Sequence, residues 1–85
     1  PTAEAAYRSA MARMHGPMMQ GINNADPDAA FVLGMIPHHQ GAIDMAITVL
    51  AFGKDPEVKK MAESIIKAQE TEIGLLKEWL KMKGQ

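Results

Sequence analysis

The sequence predicts an all-α fold, an antiparallel bundle of three long helices. Three observations predict it. Apolar residues recur three and four positions apart along most of the chain, and no run of alternating β-branched residues marks a strand. Two Asp-Pro steps, Asp26-Pro27 and Asp55-Pro56, divide the chain into three segments. In each, the Asp caps a helix and the Pro takes the first helical position, where its missing N–H is harmless. The connections are short, so consecutive helices are antiparallel neighbours.

The first helix is expected over about residues 2–22, with Tyr7, Met11, Met14, Met18 and Ile22 on one stripe and His15 at its edge. Gly16-Pro17 falls inside it and is expected to kink or break it. The second helix is expected over about 27–52, started by Asp26 and supported by Asp28 in its first turn. Phe31, Met35, His38, His39, Ala42, Met45, Ala46 and Val49 form its stripe, and Pro37 is expected to bend it. The third helix is expected over about 56–83, between Asp55 and the C-terminal stop Gly84. Its stripe holds Val58, Ala62, Ile65, Gln69, Glu72, Ile73, Leu76 and Leu80. Gln69 and Glu72 interrupt an otherwise apolar face, and a buried amide or carboxylate is costly unless it is bonded to something.

Eighty-five residues make a single helical-bundle domain, spanning 1–85. So short a chain has a small core, and three helices with wide apolar stripes are expected to be completed by oligomerisation, as a homodimer or higher assembly. There is no cysteine, which excludes disulfides and thiolate metal sites and suits an oxidising compartment. A net charge of -1 offers no footprint for nucleic acid or an anionic membrane surface. No apolar stretch is long enough for membrane insertion. The chain opens at Pro1 without an initiator Met, as a mature or trimmed chain would.

The count that stands out is eight methionines, against four aromatic residues of all kinds. Within Met35-Ile36-Pro37-His38-His39, one helical turn carries a thioether and two imidazoles, with Met45 two turns further on. Thioether plus imidazole, without thiol, is a donor set for a soft ion such as Cu(I). Antiparallel helices of equal rise place Met11, Met14 or His15 and, from the third helix, Gln69 and Glu72 at the height of the histidines. Glu72 is expected to accept from an imidazole N–H, behind the ligands, and Gln69 to close a buried hydrogen-bond network. Other chemistries lack their residues. There is no Glu-x-x-His for a carboxylate di-iron site, no His-Glu-x-x-His, no phosphate loop, and no serine placed as a nucleophile. The chain is not expected to be an enzyme.

The segment Phe31–Ala46 resembles the signature of the bacterial domain-of-unknown-function family 305, DUF305. The stretch Ala62–Ile73, ending near Trp79-Leu80, is similar to that family's second block, and the element from Met14-His15 to Met18 to its first. The resemblance implies a ferritin-like helical bundle and an exported protein, periplasmic or secreted. Some members of the family bind copper through Met and His and are held to sequester or carry it, while most have no demonstrated activity. Carried over by motif, the implied metal ligands are Met11, Met14, His15, Met18, Met35, His38, His39 and Met45. The expected function is Cu(I) sequestration, buffering or delivery. The alternative is a metal-free oligomeric interaction module specified by a buried His/Gln/Glu network.

Overall fold

A computed structural model describes residues 2–84 as three helices, α1 (Ala3–Ile22), α2 (Pro27–Phe52) and α3 (Pro56–Met82). The all-α bundle and the two dividing turns are as the sequence predicts. Asp26 Oδ1 accepts from the Asp28 N–H at 3.0 Å. Asp55 Oδ1 accepts from Glu57 at 2.8 Å and from Val58 at 3.4 Å. Thr2 caps α1, its hydroxyl oxygen accepting from the Ala5 N–H at 3.1 Å. At the other end of the chain Gly84 takes φ +72°, the left-handed geometry that closes α3.

Neither internal proline ends its helix. α1 runs through Pro17 and α2 through Pro37, so of the kink or break expected at Pro17 the break does not occur, and α2 keeps the span expected for it. A proline removes one bond of the ladder, and the turns on either side of it remain hydrogen-bonded. Both prolines line one groove between α1 and α2, together with Gly21, Leu33 and Ile36, so packing there offsets the loss. Pro37 also frees the carbonyl four residues back, that of Leu33. Gly21 sits directly on that carbonyl, close enough that a Cβ on residue 21 would lie 2.4 Å from the oxygen.

The helices lie side by side. α2 is central, α1 and α3 pack on its two flanks, and no Cα of α1 comes within 8 Å of one in α3 among the described residues. The Cα positions span 43 × 23 × 14 Å, which is one layer of helices. Toward α1, α2 presents the small or short residues Gly34, Gly41 and Thr48, spaced by seven, all buried. Toward α3 it presents Val32 and Ala46, and the helical period puts the buried Ile43 on the same face. Of the expected stripe of α2, His39 and Ala46 enter the α3 seam, while Phe31, His38 and Met45 lie between the two seams and are exposed. The buried core is correspondingly small: Ala10, Ala29, Val32, Ile43, Ala46 and Ala62, with no large side chain fully enclosed.

Candidate metal centre

The α2–α3 seam brings chemistry together at its middle. Successive side chains on a helix diverge by about 100°, so His38 and His39 part company. His39 turns into the seam, its side chain 13% exposed, while His38 stands exposed on the open side. Their ring centres are 6.1 Å apart, with the planes at 60°. The His39 Nε2 lies 3.4 Å from the Glu72 carboxylate. Its Nδ1 is buried and has no hydrogen-bond partner. The two residues share a groove of about 410 Å³ with Met35 and the apolar walls Phe31, Val32, Leu75, Leu76 and Trp79. One groove therefore holds a thioether, an imidazole and a carboxylate in apolar surroundings, with a second imidazole next to it in sequence.

The fit to a soft ion can be judged from His39. With the proton on Nε2, toward Glu72, the Nδ1 lone pair is left bare. A carboxylate beside one imidazole nitrogen is the kind of neighbour that metal-ligating histidines have. Among the described residues no three His, Cys, Asp or Glu side chains converge. Met35 is the sulfur in the groove.

The remaining candidates are distributed. Met45 lines a second groove, toward the α2–α3 turn, with Tyr7, Val49, Met61 and Ile65. At 1.5 Å rise per residue it stands about 10 Å along α2 from His38, too far to share one ion within the chain. Met61 is a thioether the sequence reading passed over. It borders the α3 stripe, and its nearness to Met45 depends on the pairing of two helices. Met14 is a wedge in the other seam, where a Cβ on Gly41 would meet its sulfur at 2.7 Å. His15 is exposed on α1.

The level of α1 corrects the expectation. Met14 on Gly41, Gly21 on Leu33 and Gly34, and Arg13 paired to Asp44 at 3.6 Å put Pro17 and Met18 level with His38, not Met11, Met14 or His15. The helices slide by about one and a half turns because the glycines, not the turn, choose the closest approach. Met11 and Met18 lie about one and three turns from Tyr7 on the same side of α1, the side on which Tyr7 and Met45 line one groove. Gln69 also differs from expectation. Its Oε1 is buried with no partner, so the network it was to close is open in the single chain.

No helix among the described residues is long and apolar enough to cross a membrane. The sequence model of the family described as "Domain of unknown function (DUF305)" matches residues 1–80. The chain is also similar to "Uncharacterized protein L153" of Acanthamoeba polyphaga mimivirus, 44% identical over 46 residues. That match takes in 54% of this chain and 30% of the viral protein, so the chain spans less than a third of that relative's length.

Proposed function

The chain belongs to the DUF305 family, and we propose that it binds copper as Cu(I), without catalysis, to sequester, buffer or deliver it in the periplasm or outside the cell. The observation that carries this reading is the groove in which Met35, His39 and Glu72 meet beside His38, in a chain with no thiol. His38 and His39 are the nitrogen ligands and Met35 the soft ligand. Glu72 orients His39 and fixes which of its nitrogens carries the proton. The other exposed thioethers, Met11, Met45 and Met61 among them, are further soft donors on the same side. Thioether ligation suits an oxidising compartment, because a thioether has no proton to lose on binding and forms no disulfide.

The competing view is a metal-free interaction module held together by a His/Gln/Glu network. The two atoms buried without a partner in the single chain, His39 Nδ1 and Gln69 Oε1, are where that oligomeric network would have to close.

The test is a titration of the reduced protein with Cu(I) against a competing chelator, wild type beside the double variant His38→Ala/His39→Ala. The expected outcome is a loss of affinity of about a hundredfold or more in the variant, with the helical circular dichroism retained. Equal affinity in the two proteins would refute the ligand assignment. An unchanged melting temperature on adding Cu(I) to wild type would refute a folded copper site, because a ligand that binds the folded state better than the unfolded chain raises it.

A further inference from the structure

A stable domain packs at least two layers of secondary structure around its core, and this chain supplies one. The surface area says the same. A compact monomer of 9.2 kDa exposes about 4,900 Å² by the scaling of folded proteins, whereas this chain exposes 5917 Å². The excess, about 1,000 Å², is of the size each partner buries in a stable protein interface, roughly 800 Å².

The two sides of the layer differ. One side carries Arg13, Gln40, Asp44 and Lys77 around the middle of α2. The other carries the two grooves already described, with Phe31 63% exposed, Met61 55% and Leu75 67%. His38 is at the mid-length of the central helix on this apolar side, between Met35 and Met45. A two-fold axis through the middle of that side sets His38 against the same residue of a second copy, and the apolar grooves against each other. The net charge of -1 opposes such pairing little.

We propose that two copies of this chain pack through the apolar side about a two-fold axis at His38, and that the ion lies between them. His38 of each copy is a ligand, and Met35 of each copy lies one turn away along α2. The pairing stands on the layer geometry alone, while the shared ion rests on the copper reading. Sharing explains why His38 faces away from His39: each chain holds half of a site that closes on assembly.

The test uses the whole chain and its lack of cysteine. A single cysteine is placed by His38→Cys and, as a control on the opposite side, by Gln40→Cys, and each protein is treated with a short bis-maleimide. Efficient cross-linking of the first and not the second is expected, and equal cross-linking of the two overturns the axis. In analytical ultracentrifugation wild type is expected as a dimer. Phe31→Glu, an exposed position outside the ligand set, is expected to weaken association roughly a hundredfold while leaving the helical circular dichroism intact. A wild-type monomer at micromolar concentration, or an unimpaired Phe31→Glu dimer, overturns the pairing. Titration with Cu(I) is expected to saturate at one ion per two chains. A dimer that binds one ion per chain removes the shared site and leaves the copper reading standing. A dimer that binds none removes the copper reading and leaves the pairing standing.

Discussion

The two seams of α2 are built on opposite principles. Toward α1 the backbones approach through glycine: Gly21 on the Leu33 carbonyl, Gly34 under the Ile22 methyl, Gly41 under the Met14 sulfur. Toward α3 the contact is made by side chains, with Ala46 and Ala62 near one end and Met35, His39, Leu76 and Trp79 spread along the other. The first seam sets a register, since small residues permit approach only where they coincide. The second stays ajar and encloses a groove. The thioether, imidazole and carboxylate of Met35, His39 and Glu72 sit along the second seam, in its groove.

The sharpest way to break that contrast is Gly21→Ala. The added methyl meets backbone, which cannot turn aside, so a loss of about 2–3 kcal/mol is expected. In a chain of this size that lowers the melting temperature by roughly 10–20 °C. Gly41→Ala meets the flexible Met14 side chain instead, and about 1 kcal/mol is expected. If thermal unfolding shows the two losses to be equal, the α1 seam is not held by backbone approach.

The α3 seam is tested through its carboxylate. Glu72→Gln keeps the size and exposure of a half-open side chain but weakens the hold on His39. The expected result is a melting temperature within a few degrees of wild type and a Cu(I) affinity lower by about tenfold. A large loss of stability with unchanged affinity would assign Glu72 to packing. The smallest effect is expected at Gly74, whose Cβ position is open space on α3. Gly74→Ala is expected to raise stability by about 0.5–1 kcal/mol, by removing freedom from the unfolded chain. Destabilisation would mean that this outward position is covered in the assembled protein.

Much of the helical architecture was legible before any coordinates. Asp26-Pro27 and Asp55-Pro56 mark helix starts through side-chain and ring geometry that act within three residues, and α2 runs from Pro27 to Phe52 as read. The pairing of Glu72 with the histidine pair was also legible, because a short turn between α2 and α3 leaves little freedom in their relative height. Pro17 and Pro37 left a kink and a break open, since a local penalty of about 3 kcal/mol says nothing of the groove in which both are packed. The level of α1 was hidden for a related reason: which glycine seats on which carbonyl depends on two surfaces at once.

What the sequence determined by itself is therefore what acts locally: three helices, their caps, the apolar stripe of each, and a thioether and two imidazoles on one turn of α2. Tertiary structure alone decided that the helices form a layer, that His39 enters a seam while His38 faces out, and that Met14 packs where a ligand was expected. The physical reason is range. Caps and helical periodicity are energies between residues a few positions apart, whereas seams are set by the fit of distant surfaces, and a pattern along one helix does not reveal which neighbour will cover it.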